Sequence, residues 1–275
     1  MTRNRLKSAW KRLLLILVSL TCVYPVFWMV LGSFKTQGEL YSNPWGFPQM
    51  FTLENYQRAF GNGNIGRCFM NSLLIAACSV VLIVLLSVMA AYGIPRLKWK
   101  LSGLVLTVFV TGMMIPAYSA LIPLYSIFNK LGILGSYTCV VISHVTFGLP
   151  LGVFIMSGFM QTIPRELEEA AVLDGCTVFR MFCRVIMPIV RSGTVTISVI
   201  SFINVWNDLL FGQIFLNEKE KMPLTVGLLE FKGRFGTDYV GMLAAIVVTV
   251  IPVVAIYSVL HDKIVDGMTA GAVKG

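Results

Sequence analysis

Charge is what this sequence has least of. Asp, Glu, Lys and Arg make up 13% of its 275 residues, against 56% hydrophobic ones. A soluble globular chain carries about 25% charged and 45–50% apolar residues. Half the usual charge cannot cover a water-facing surface, and a mean hydropathy of +0.79 points to a bilayer as the solvent. Disorder needs low hydrophobicity and high charge, so the same shortage excludes it. Histidine is nearly missing: His144 and His261 are the only two. They are too few and too isolated for a metal site, and each reads as a packed or interfacial residue. The six cysteines (22, 68, 78, 139, 176 and 183) are scattered and form no CxxC pair, which excludes a disulfide scaffold. Cys22, Cys78 and Cys139 read as small buried hydrophobes.

What is there are long apolar runs. Stretches of about 20 mostly apolar residues occur at 13–34, 69–92, 101–125, 137–159, 189–211 and 239–260. Barrel strands would instead show alternating segments of about 10 residues. The fold class is therefore all-α, a membrane protein of six transmembrane helices. Residues 13–260 form one membrane domain, flanked by tails 1–12 and 261–275. The first span follows Arg3, Arg5, Lys7, Lys11 and Arg12. It is longer than a signal-peptide core and no small-x-small site follows it, so it reads as an uncleaved helix.

The net charge of +9 would suit nucleic acid, but in a membrane protein the location of positive charge matters more than its sum. With the N-terminus inside, 14 of the 22 Lys and Arg fall on the cytoplasmic side and eight outside. That bias is the one the positive-inside rule requires, and it puts both termini in the cytoplasm. A lipid bilayer is the implied partner, and nucleic acid is not.

Three connecting segments are too long for turns. The external stretch 35–68 carries Pro44, Trp45, Phe47, Pro48 and Tyr56, which read as an aromatic interface belt. The external stretch 212–238 reads as a solvated loop. The internal stretch 160–188 is the most informative. Pro164 suits a first helical position, and Glu166, Glu168 and Glu169 put negative charge in the first turn. Gly175 suits the position after a helix that stops near Asp174. Thr177 then caps a second helix, with Phe179, Phe182, Cys183 and Ile186 as its apolar face, and Pro188 opens the next span. Such a hairpin either lies on its own membrane domain or docks a partner. For docking, Ala170 and Ala171 allow close approach and exposed aromatics supply anchors.

The spacing Glu169-Ala170-Ala171, three residues, Gly175, nine residues, Val185-Ile186-Met187-Pro188 resembles the EAA loop of bacterial ABC-importer permeases, EAA-x3-G-x9-I-x-L-P. The likeness extends over residues 10–275. Ile122-Pro123-Leu124-Tyr125 with Leu131-Gly132, the segment 202–208 and the tail 269–275 look like the second (G-type) permease of maltose-type carbohydrate importers. The resemblance implies a type I ABC importer permease fold in the cytoplasmic membrane. Its partners would be an F-type permease, two copies of a cytoplasmic ATPase and an extracytoplasmic sugar-binding protein. It further implies that residues 161–188 couple to the ATPase through Glu169, Ala170, Ala171, Asp174, Gly175, Phe179 and Pro188. No G-x-x-x-x-G-K-[ST] loop occurs. The chain is thus read as non-catalytic and without cofactor or metal, ATP and Mg being held by the partner ATPases.

Asp208 is the only acidic residue near a span's interior, where charge is costly and usually faces a cavity or a partner. At 100° per residue, Thr194, Ser198, Ser201 and Asp208 fall within about 80° of one helix face, with Asn204 at its edge. The stripe either lines a translocation pathway or serves as helix–helix glue. In the first case Ser198, Ser201, Asn204, Asn207 and Asp208 would meet sugar hydroxyls and Trp206 would stack on a sugar face, or these groups would shape the gate. Pro116, Pro123, Pro150 and Pro252 could kink spans around a cavity. A self-sufficient secondary transporter is the alternative. It would need ion-coupling carboxylates and an inverted repeat, and one Asp without a visible repeat disfavours it.

Overall fold

The computed structural model describes the backbone of residues 2–61, 63–97, 99–233 and 236–272, with side chains within 10–259. The side chains of Arg3, Arg5, Lys7, Lys98, Arg234, Lys263 and Lys274, counted in the charge bias, lie outside the described residues, as do those of the terminal run 269–275. The helices are α1 (Thr2–Ser33), α2 (Gln37–Ser42), α3 (Glu54–Phe60), α4 (Ile65–Gly93), α5 (Ser102–Gly112), α6 (Leu121–Lys130), α7 (Tyr137–Gln161), α8 (Glu166–Leu173), α9 (Val178–Ile189), α10 (Arg191–Trp206), α11 (Leu210–Phe215) and α12 (Tyr239–Ala272). Among the described residues there is no β-strand, only an isolated bridge between Lys232 and Thr237.

Among the described residues, four helical stretches are long and apolar enough to cross a membrane: Trp10–Ser33, Ile65–Gly93, Tyr137–Gln161 and Tyr239–Val259. They become six when two bent pairs are each counted as one span. The expected span 101–125 is one of these pairs, with α5 and the stretch Ala117–Lys130 meeting at 90°. Pro116 is the cause: it has no N–H to donate, and it disfavours helical geometry in the residue before it. The ladder tightens first, with Met113, Met114 and Ile115 donating to the carbonyls three residues back. Pro150 and Pro252, by contrast, sit inside continuous helices, and Pro123 lies in the first turn of α6.

The expected span 189–211 also needs correction. Pro188 does not open it; Pro188 ends α9, and α10 starts at Arg191 after a 74° bend. Then α10 stops at Trp206 and the chain restarts as α11. The Asp208 carboxylate accepts from the N–H groups of Phe211 (3.5 Å) and Gly212 (3.2 Å), which satisfies donors that a helix start leaves open.

The chain divides into two compact units. The first comprises residues 1–66 and 227–251. Its small core is Leu40, Val240 and Leu243, backed by Trp28 and Met29. Arg58 pairs with Asp238 at 3.3 Å. Lys35 is fully buried with its ammonium on the carbonyls of Asn43 (2.7 Å) and Gly46 (2.6 Å), while Asn55 donates to the carbonyls of Ser33 and Lys35. The buried ammonium on two carbonyls, and the Asn55 amide on two more, thus order the stretch that looked like a plain interface belt. Trp45 and Phe47 of that stretch remain exposed and pack their rings on Tyr24, Trp28 and Phe27 of α1. Cys22 is exposed and not buried as expected.

The second unit comprises residues 67–226 and 252–275. One core runs through it from Ile83, Val88, Ala91 and Tyr92 of α4 to Met156 and Met160 of α7 and Ile197 of α10. Cys139 is buried there, whereas Cys78 is exposed. Two glycines bring α4 and α7 together. A Cβ on Gly148 would lie 2.7 Å from the Cδ1 of Ile83, and one on Gly152 would overlap the Ser87 hydroxyl. Small residues permit this backbone approach in a membrane, where packing supplies much of helix association. Gly152→Val is therefore expected to destabilise the unit by about 1–3 kcal/mol through overpacking. Thermal unfolding in detergent measures this, and a Ser87→Gly background should relieve part of the loss.

Candidate translocation cavity and coupling hairpin

The second unit encloses a cavity of about 450 Å³. Its wall is formed by Ile83 of α4, the bend residues Pro116, Ala117 and Tyr118, α7 from His144 to Ile155, α10 from Ile197 to Val205, and Asp208 and Phe211. The volume falls within the usual range for small-molecule sites, about 300–1,000 Å³. Three of the six expected pathway residues line it: Ser201, Asn204 and Asp208. The structure places the other three elsewhere. The Ser198 hydroxyl donates to the Thr194 carbonyl of its own helix (2.7 Å). Asn207 is exposed and its amide donates to the Ile203 carbonyl. Trp206 is 1% exposed, packed on Phe69 and Phe202, and has no face to offer a sugar.

The aromatic surfaces at the cavity are Tyr118, Phe147 and Phe211. The Phe211 ring lies 5.8 Å from Tyr118 and stacks on Phe147 at 6.0 Å. Such rings combined with a few convergent polar groups suit a ligand that has apolar faces and hydroxyl edges. His144, expected as a packed or interfacial residue, is indeed buried, and it stands beside Asp208. Its Nε2 stands 3.7 Å from Asp208 Oδ2, and both side chains are buried. The cost of an ionisable group within a span, which singled out Asp208, applies equally to His144 and could have found it. Asp208 is pinned from both ends, because Thr225 Oγ1 donates to its backbone carbonyl.

The stretch 164–188 folds as a helical hairpin. Helix α8 ends at Leu173, and Gly175 follows in the left-handed region at φ +73°. Gly175 N–H donates to the Val172 carbonyl and Cys176 N–H to that of Ala171, both at 2.9 Å. This is the double-bonded C-terminal cap that a glycine enables. Thr177 Oγ1 accepts from Arg180 N–H at 3.3 Å and caps α9. Pro164 does not take the first helical position; α8 starts at Glu166.

The buried face of α9 differs from the expected one. Of the four expected positions, Ile186 is buried and Phe182 packs half-buried against the core, but Phe179 is 76% exposed and Cys183 is exposed, and Met181 is buried instead. A π-turn at Phe182–Ile186 inserts one extra residue per turn and moves the buried positions off the α-helical register. Ala171 is also buried in the subunit's own core, so its small size serves internal packing. Glu169, Ala170, Asp174, Gly175, Phe179 and Pro188 remain exposed.

Residues 83–269 match the family model described as the binding-protein-dependent transport system inner membrane component. The chain belongs to that family. This permease is 36% identical to the inner membrane ABC transporter permease protein YcjP of Escherichia coli, over 95% of its own length and 94% of the relative's. It is 31% identical to the diacetylchitobiose uptake system permease protein NgcG of Streptomyces coelicolor, covering 98% and 89% of the two chains. This permease shares its fold with a chain of a bacterial ABC transporter involved in the import of the acidic polysaccharide alginate. That match has a TM-score of 0.83 at 20% identity and covers 95% and 98% of the chains. The permease is thus a multi-pass inner-membrane protein of a binding-protein-dependent ABC system.

Proposed function

We propose that this permease passes a sugar or oligosaccharide across the cytoplasmic membrane by alternating access, driven by ATPase subunits on separate chains. Relatives of the permease are named for diacetylchitobiose uptake and for melibiose, raffinose and stachyose import, and a self-sufficient secondary transporter is not favoured. The observation that carries the reading is the hairpin. An exposed face of Glu169, Ala170, Asp174 and Phe179, rigidly turned at Gly175, stands on a chain that lacks a phosphate-binding loop. In this reading the chain is non-catalytic and holds no cofactor of its own. The hairpin docks on one of two copies of a cytoplasmic ATPase. An F-type permease completes the pathway, an extracytoplasmic sugar-binding protein delivers the cargo, and both termini are cytoplasmic. Ser201, Asn204 and Asp208 meet the cargo or shape its gate.

Vesicles reconstituted with both permeases, the ATPase and the binding protein test this directly. A panel of labelled di- and oligosaccharides should yield at least one that accumulates only with ATP. Sugar movement by this chain without any ATPase would overturn the reading in favour of a secondary transporter.

A further inference from the structure

Arg96 lies three residues past the end of α4, on a turn continued by the Ile94 N–H to Ala90 and Arg96 N–H to Tyr92 carbonyl bonds. Its side chain is only 8% exposed. The Nε atom meets both carboxylate oxygens of Glu168 at 3.0 Å, in the first turn of α8. The two terminal nitrogens donate to the carbonyls of Met160 (3.0 Å) and Ile163 (2.8 Å), at the C-terminal end of α7. Those carbonyls belong to the last turn of a helix and the residues beyond it, where the regular i+4 donors run out and a cation is favoured; the Met160 carbonyl otherwise accepts only from the chain just past the helix, with Ile163 N–H at 3.4 Å. One guanidinium therefore joins three elements: α4, α7 and the coupling hairpin. Its rigid planar fork suits this, since it presents donors to a carboxylate on one side and to two carbonyls on the other in a single plane, which the point charge of a lysine does not. Beside it, Tyr92 of α4 packs on Phe182 of α9, with ring centroids 5.2 Å apart. Helix α4 contributes Ile83 to the cavity wall, and α7 contributes His144, Phe147 and Ile155.

We propose that Arg96 is a positioning residue that clasps the hairpin to the cavity-lining helices α4 and α7, so that movement imposed on the hairpin reaches the cavity. The clasp rests on the hairpin being the ATPase-docking element. Without it, α8 keeps its exposed docking face and its Gly175 turn, but its displacement is no longer transmitted as a rigid body through two packed helices. The carboxylate used is that of Glu168, not of the exposed Glu169, so docking and clasping are divided between neighbouring acids.

The test uses the complete complex in lipid vesicles, with the six native cysteines replaced by Ser or Ala. Ala117→Cys then places a thiol at the cavity, and a membrane-impermeant maleimide reports its accessibility with and without MgATP and vanadate. In the parent complex, nucleotide trapping should change the labelling rate. Arg96→Ala and Glu168→Gln should keep ATPase association and hydrolysis within about twofold, yet shrink that change about fivefold or more. Arg96→Lys, which keeps the charge without the fork, should fall between. A full labelling response in both Arg96→Ala and Glu168→Gln would overturn the clasp, and so would loss of ATPase association in every variant, which would assign Arg96 to folding. A parent complex whose hairpin binds no ATPase would instead overturn the docking reading beneath it.

Discussion

Asp208→Ala is expected to lower sugar uptake at least about tenfold, the equivalent of about 1.4 kcal/mol or more in the rate-limiting barrier. The substitution removes two things at once. It strips the acceptor from Phe211 N–H and Gly212 N–H, which start α11, and loss of such a cap costs about 0.5–2 kcal/mol. It also leaves His144 buried with no acidic neighbour at 3.7 Å. Both consequences fall on the cavity wall, because Phe211 is the ring that Tyr118 and Phe147 pack against. Asp208→Asn separates the contributions, since an amide oxygen still accepts from the helix start but carries no charge. Uptake and ATP hydrolysis measured side by side in vesicles read the outcome. If Asn restores transport, the cap is what counts; if Asn fails as Ala does, the charge beside His144 does. Normal kinetics in the Ala variant would reduce Asp208 to a packing residue.

Gly175→Val is expected to reduce co-purification of the ATPase about tenfold while the amount of permease in the membrane stays constant. Space is not the reason, for a Cβ at Gly175 would meet nothing within 4 Å. The backbone is. At φ +73° an L-residue costs about 1–2 kcal/mol, and a β-branched one is a true outlier there. Relaxing that strain opens the cap in which Gly175 and Cys176 bond back to Val172 and Ala171, and the angle between α8 and α9 goes with it. Gly175→Asn should retain most of the association, since Asn visits the left-handed region several-fold more often than most residues. Glu169→Lys is the complementary probe: it leaves the turn untouched and reverses charge on the exposed face. ATPase retention that is unchanged in both Gly175→Val and Glu169→Lys would make the hairpin an interfacial element only.

Local signals proved readable where local chemistry decides the structure. Apolar runs located the long helices, and the Gly175 and Thr177 caps depend on a few adjacent backbone groups, so their residue types announce them. The bend at Pro116 was foreseeable as a kink but not as a right angle, which depends on what packs around it. Two sorts of information were out of reach. Helical periodicity assumes 3.6 residues per turn, so the π-turn at Phe182–Ile186 silently moved the buried face of α9. Side-chain destination is the other: Trp206 and Asn207 stand beside Asp208 in sequence, yet one is packed on Phe69 and the other bonds to its own helix. The cavity's aromatic wall comes from Tyr118, Phe147 and Phe211 on three separate segments. No motif joins them.

The right-angled break at Pro116 bears on what the bilayer must tolerate at rest. Non-helical peptide groups at hydrocarbon depth persist only where protein or water covers them, and Pro116, Ala117 and Tyr118 border the cavity. Filled with water, such a pouch in a membrane that stores an ion gradient would be a short circuit. The energetic integrity of the cell then requires that one mouth of the pouch be sealed before the other opens, and any variant that widens both together should be recognised first by proton leak and only afterwards by a failure to import.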